Sequence, residues 1–325
     1  MNRIIIIFLL LFFSCLNNKV EQKKLDFFRF EQQLFSINTE NVNEKIMSFR
    51  AEHNSFNEFF EKEIILTSKN DSLYAEELLN FIQFPQMREA YDSLSLLYSD
   101  FSDIENELNN AFSIFNSYFP QHSLPKIITF FSGFNYGVVA YDNIIAIGLE
   151  NFLGKNSKFY KLLRNPNYLS FHKQKKFLTS NVMEVWYNEC FDKYFYGEDF
   201  LSRVIHKGKI MLFIDLMLPN SNLENKFRFS KLEMDWVINN EDKIWTYFIE
   251  NELLYSLKEQ EFISYLNYAP FARGMPNKAP SRVGYYIGYR ILQDYMQNNN
   301  ISLNDVVKEN DYRKILKNSR YKPKK

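Results

Sequence analysis

The sequence predicts a mainly α-helical protein with one small β-sheet, an α+β chain in which helices dominate. Three observations lead there. Gly and Pro are scarce, at nine each in 325 residues, so there is little material for the tight turns of a many-stranded fold. Apolar residues recur at spacings of three and four over most of the chain, the period of one helix face. One segment alone, 126–148, carries β-branched and aromatic runs broken by turn residues.

Taken in order, the chain opens MNRIIIIFLLLFFSC. Arg3 precedes an unbroken apolar run from Ile4 to Phe13, too short to span a bilayer as a helix. A basic start, a short apolar stretch and a small residue form the pattern of an export signal. Phe12-Phe13-Ser14-Cys15 resembles a bacterial lipobox, although Phe at the two leading positions departs from its commonest form. On this reading residues 1–14 are a lipoprotein signal peptide, and Cys15 becomes the first residue and carries the lipid. An ordinary secretory leader with a chance cysteine is the alternative. Residues 15–24, ending in LNNKVEQKK, form a short polar tether. Residues 25–325 contain no linker, repeat or low-complexity block and read as one globular domain.

From Leu25 to about Phe119 the pattern is helical, with interruptions at Pro85 and Pro120. Strands are expected at about 126–131, 136–141 and 143–148, making a two- or three-stranded sheet interrupted at Ser132-Gly133 and Asp142-Asn143. Helical pattern then resumes. Asn181 with Glu184, Ser230 with Glu233 and Ser302 with Asp305 have the spacing of capping boxes. Pro280 precedes a further helix in which Gly284 and Gly288, four apart, share a face and let another element approach closely. Arg290 and Asp294 follow too soon for a membrane-embedded Gly-xxx-Gly contact.

The 39 basic and 39 acidic residues balance, leaving no electrostatic footprint for nucleic acid. The basic ending from Arg320 to Lys325 reads as a solvated tail. With Cys15 lipidated, Cys190 has no partner, so the exported domain relies on its core without a disulfide. Cys190 itself reads as a small buried residue.

Motifs for a metal, a nucleophile elbow or a phosphate loop do not occur, and no cofactor is implied. His53, His122, His172 and His206 are too far apart in sequence to share a helix face, and each reads as exposed or locally hydrogen-bonded. One constellation holds interest. A sheet followed by two helices is the order in which zincin peptidases arrange their sites. The first helix carries Met183-Glu184-Val185-Trp186-Tyr187. Set against HExxH, Met183 and Tyr187 stand where metal-binding histidines would be, and Glu184 keeps the general-base position. On the next helix Lys207 stands where a third ligand would be, and an ammonium has no lone pair for a metal. Met183, Glu184, Tyr187, Lys207 and Arg282 are the candidates for a vestigial cleft. Lys207 would pair with Glu184, and Arg282 would fork to Glu184 or Asp215 as a structural ion pair. The bland alternative makes Glu184 the acid of an Asn181 capping box.

GKIMLFIDLMLP (Gly208 to Pro219), WVINNEDKIWTYFIENELLYS (Trp236 to Ser256), APFARGMPNKAPSRVGYYIGYRILQDYMQNNNISL (Ala269 to Leu303) and ILKNSRYKP (Ile315 to Pro323) follow in order. Together with FFRFEQQLF (Phe27 to Phe35) and IAIGLENFLG (Ile145 to Gly154), they resemble the gliding-motility lipoprotein family GldB of Bacteroidetes. The resemblance implies a zincin-like helical domain that lacks the metal motif, with no catalytic residues to carry over. It also implies a cell-envelope lipoprotein needed for gliding, for type IX secretion or for both, and with the missing motifs the expectation is a non-catalytic structural or assembly component. Its expected partners are the membrane, through Cys15, and other envelope proteins of that machinery. Leu16 and Asn17 carry no inner-membrane retention signal and no acidic export run follows, so a periplasm-facing anchor is expected with the choice of membrane open. Two alternatives stand beside this reading, a zincin-related hydrolase with an atypical site and a small-molecule-binding lipoprotein.

Overall fold

A computed structural model describes residues 24–67 and 71–324. The expected signal peptide, Cys15 and the expected tether up to residue 23 lie outside the described residues. The chain begins with strand β1 (Phe27–Arg29) and helix α1 (Phe30–Phe35), followed by α2 (Val42–Glu52) and α3 (Asn54–Phe59). A π-helical turn at Phe60–Ile65 leads to α4 (Asp71–Gln83), α5 (Pro85–Leu97) and α6 (Ser102–Tyr118). Pro85 opens α5, where its missing N–H costs nothing, and Pro120 falls just beyond α6.

The sheet follows in β2 (Lys126–Phe130), β3 (Val138–Tyr141) and β4 (Ile144–Gly148), and its spatial order is β1-β2-β4-β3. β2 runs parallel to both neighbours, with Ile127 opposite Phe27 and Ile145. β3 and β4 form an antiparallel hairpin through Asp142-Asn143, both with positive φ (48° and 61°). That is the turn type whose twist matches a hairpin. Ile127, Ile128, Phe130, Ile145 and Ile147 are completely buried. A sheet covered on both faces needs no polar alternation, which is why its two central strands read as apolar runs.

Strand β1 makes a fourth strand where the sequence pattern indicates only helix. It is three residues long, and its partner lies about a hundred residues further on. No local signal announces such a pairing. Its register is fixed by Ile127, whose N–H donates to the Asp26 carbonyl at 2.8 Å, and by the buried Glu31, which accepts from Arg29 and Thr129.

After the sheet come α7 (Lys158–Leu162), α8 (Asn167–His172), α9 (Leu178–Phe191), α10 (Phe200–Met217), α11 (Leu223–Phe227) and α12 (Lys231–Asn239). Then follow α13 (Glu241–Glu250), α14 (Glu259–Leu266), α15 (Val283–Asn299), α16 (Leu303–Lys308) and α17 (Tyr312–Ser319). Helix α10 is buried nearly all round, which marks it as the central helix of this part of the fold. Helix α15 crosses it at glycine. A Cβ built on Gly288 would stand 2.0 Å from the Val204 carbonyl oxygen, and one on Gly208 would stand 2.2 Å from the Gly288 backbone. The Gly284/Gly288 face therefore serves backbone-to-backbone packing, as its spacing implies. A continuous hydrophobic core runs from Leu25 to Ile315. Between α6, α9 and α10 it is aromatic: Phe115 meets Trp186 at 5.7 Å and Phe213 at 6.0 Å, both edge to face.

Several local expectations change. Ser230 and Glu233 do form a capping box, and Ser302 caps α16 by accepting from the Asp305 N–H at 3.2 Å. Asn181 caps nothing: it lies inside α9, and its side-chain amide donates to the Phe177 carbonyl. The histidines are packed against aromatic rings, with His53 on Phe28, His172 on Tyr268 and His206 on Phe195, each about 4 Å between centroids. The basic ending is not wholly solvated, since the Tyr321 hydroxyl donates to Glu241 at 3.0 Å and its ring meets Trp245 edge on. Cys190 is buried and free, and burial pushes its thiol up to about 12. No helix of the described residues is long and apolar enough to cross a membrane.

Candidate polar cluster at Glu184

Glu184 stands on α9 beside the crossing of α10 and α15. Its side chain is 16% exposed. The Arg228 Nη2 donates to Glu184 Oε2, while the Arg228 Nη1 donates to Asn181 Oδ1 at 3.1 Å, one helical turn away. The Tyr285 hydroxyl donates more weakly to Glu184 Oε1 at 3.4 Å. Arg228 ends α11 with φ +57°, and Arg282 opens α15 with φ +65°. Both are left-handed conformations that cost a non-glycine residue about 1 kcal/mol or more. The surrounding structure holds both arginines in these strained positions.

Arg282 is almost wholly buried. Its Nη1 donates to the Phe227 carbonyl at 3.0 Å. Its guanidinium lies 4.1 Å from the Tyr285 ring centre and 4.5 Å from that of Tyr268. The Lys207 ammonium, about two turns into α10, lies 5.5 Å from the same Tyr285 ring. Glu184, Lys207 and Arg282 therefore converge from three helices.

Their pairing differs from the expected one. Arg282 makes no carboxylate fork; Asp215 is instead held by Lys226 at 2.7 Å and by the Tyr289 hydroxyl at 2.7 Å. Lys207 influences Glu184 through space rather than in an ion pair. The partner of Glu184 is Arg228, which sequence reasoning missed. The one available signal was an arginine flanked by Phe227 and Phe229, an apolar setting in which a guanidinium must find a buried partner. Met183 and Tyr187 do not join the cluster. They share the face of α9 that turns into the core, where Tyr187 packs on Phe191 and Phe213. Glu184 is accordingly no capping acid.

The electrostatics follow from this geometry. Burial raises the proton affinity of Glu184, but the charges of Arg228, Lys207 and Arg282, with the Arg228 hydrogen bond, outweigh it and hold the carboxyl at about 2. Burial and then Arg282 and Arg228 drive His172 down to about 2, so it is neutral at physiological pH. A carboxylate this acidic is a weak general base. Three neighbouring cations also repel a metal ion from it. Among the described residues no group of three or more His, Cys, Asp or Glu is placed to hold a metal.

Two further buried carboxylates are structural. Glu150, raised to about 6 by burial, accepts from the N–H groups of Ser132 and Phe134 at 2.8 and 3.0 Å and so ties down the turn after β2. Glu241 accepts from Arg290 and from the hydroxyls of Tyr286 and Tyr321, joining α13, α15 and the C-terminal segment. IAIGLENFLG and RILQDYM contribute Glu150 and Arg290 to these anchors, which explains in packing terms why such stretches stand out in the sequence.

No curated protein and no solved structure matches the chain. The family model described as gliding motility protein GldB matches residues 15–323, nearly the whole sequence. With that extent of match, the chain belongs to the GldB family of gliding motility proteins.

Proposed function

We propose that this protein is a non-catalytic structural or assembly component of the gliding machinery of a Bacteroidetes cell envelope. It is held at the membrane by a lipid on Cys15, faces the periplasm, contacts other envelope proteins, and supports type IX secretion. The observation that carries the non-catalytic part is the state of Glu184. The residue in the general-base position is locked to Arg228 and held at about 2, and its helix directs Met183 and Tyr187 into the core. Such a site favours a fixed scaffold over proton transfer.

The test is complementation of a deletion strain. Deletion should abolish spreading and adhesin display. Glu184→Gln, at a cellular level matched to wild type by immunoblot, should restore both. Loss of spreading at matched level would overturn the non-catalytic reading, and normal secretion in the deletion strain would overturn the link to type IX secretion.

A second reading, descent from a zincin hydrolase, is favoured by one observation. Sheet, α9 and α10 follow in the zincin order and bring Glu184 and Lys207 to one place. Stoichiometric zinc in the purified chain, or loss of gliding on Glu184→Gln with the protein level kept, would favour a working hydrolase.

A further inference from the structure

The cations around Glu184 exceed what one carboxylate needs. At Glu31 and at Glu241, each buried carboxylate faces one guanidinium, that of Arg29 or Arg290. Glu184 likewise pairs directly with one guanidinium, that of Arg228, but the charges of Lys207 and Arg282 also act on it from close by, so the cluster holds two more positive charges than this one carboxylate neutralises. The two guanidinium groups also have buried donors to spare. Arg228 Nε and Arg282 Nη2 have no hydrogen-bond partner, and both side chains are about 98% buried or more. An unpaired buried donor on a charged group is costly, of order 1–3 kcal/mol or more. These donors do not swing freely. Arg228 is pinned by Glu184 and Asn181, and Arg282 by the Phe227 carbonyl and two tyrosine rings. Both arginines are further fixed by left-handed backbone, and the N-terminus of the 17-residue helix α15 adds its positive end. Preorganised donors of this kind bind an anion without paying to order themselves.

We propose that this cluster is a binding site for a phosphoryl group, with Arg228 Nε, Arg282 Nη2 and the Lys207 ammonium as donors. Charge selects the phosphoryl group over a carboxylate. At pH 7 a phosphate or phosphate monoester carries about one and a half to two negative charges and at least three acceptor oxygens, suited to two surplus cations and three donors. A carboxylate would leave one cation unpaired. The two arginine donors are closed off from solvent, and the group would enter from the side of Glu184, whose side chain is partly exposed, with Lys207, His172 and Tyr268 half-buried around it.

Calorimetric titration of the full-length protein in detergent tests this, with inorganic phosphate, glycerol 3-phosphate and acetate as probes. One phosphate should bind per chain, and acetate should bind at least about tenfold more weakly. Loss of a charge-assisted hydrogen bond in Arg282→Gln should weaken phosphate binding about 10- to 100-fold. Lys207→Gln, at a half-buried position outside the core, should weaken it about tenfold and serves if Arg282→Gln does not fold. Tighter binding of glycerol 3-phosphate than of phosphate identifies an esterified source; binding of inorganic phosphate alone identifies the free anion. No heat with either phosphate probe at about 10 mM overturns the proposal. So does equal affinity for acetate, or unchanged phosphate binding in Lys207→Gln.

Discussion

Glu184 and Arg228 show how a single pairing sets the behaviour of a buried region. The unfolded carboxyl titrates near 4.5 and the folded one near 2. A depressed acid adds stability that is fully present above the unfolded value and is lost as pH falls through the folded one. The gap corresponds to about 3 kcal/mol, lost between about pH 4.5 and pH 2. Glu184→Gln should therefore lower the stability at pH 7 by about 3 kcal/mol, because it leaves the Arg228 guanidinium buried without its counter-ion. The variant and the wild type should converge as pH falls through about 2, where the native carboxyl itself takes up its proton. Urea denaturation across pH 2 to 7 measures both, and a constant gap down to pH 2 would remove Arg228 as the controlling charge. Glu184→Leu with Arg228→Met should recover most of the loss at pH 7, since a buried ion pair costs about as much to desolvate as it returns. At this scale the sequence spoke in part. Glu184, Lys207 and Arg282 were legible as a set because helix spacing and element order bring them together. Arg228 was not, because it sits in a left-handed turn whose position depends on the packing of α11 rather than on any periodic pattern.

At the scale of elements, legibility follows the range of the interactions that make each one. The three strands within 126–148 were readable because a hairpin and its neighbour are local, with turn residues at Asp142-Asn143. The capping box at Ser230 was readable for the same reason. Strand β1 was not, since a three-residue parallel edge draws its stability from a partner far along the chain. The crossing of α10 and α15 lies between these cases. The spacing of Gly284 and Gly288 announces a close contact, but the partner glycine, Gly208, is named only by the fold. That crossing makes a sharp prediction. In Gly288→Ala the new methyl would stand 2.0 Å from a backbone oxygen, so the clash cannot be relieved by rotating a side chain. The helices must separate along their tightest contact, at a cost of about 3 kcal/mol or more. Chemical denaturation should show a lowered midpoint for Gly288→Ala. At Gly154, where a Cβ meets nothing within 4 Å but φ is +100°, the same change should cost only the smaller backbone strain, about 1 kcal/mol. Equal losses at the two positions would mean that the crossing is more pliable than its geometry indicates.

On the scale of the whole molecule, the question is how the fold meets its membrane. Among the described residues the first anchored backbone group is the Leu25 N–H, which donates to Asn109 Oδ1 at 2.9 Å; Asp26 then pairs with Lys126 at 2.9 Å, and β1 follows at once. From Cys15 to Leu25 is ten residue steps. Fully extended, they reach at most about 35 Å. A lipid on Cys15 would therefore keep the β1 edge of the sheet close to the bilayer, and partners must be reached from there. Cys15→Ala should leave the melting temperature of the purified chain unchanged while moving the protein from the membrane fraction to the soluble fraction of the cell. On the proposed scaffold role spreading should be lost even though the protein accumulates, because a scaffold that holds envelope partners in place fails once it diffuses freely. Fractionation, immunoblotting and a spreading assay on one strain read all three outcomes. A Cys15→Ala protein that still pellets with membranes and supports spreading would show that the attachment lies elsewhere in the chain.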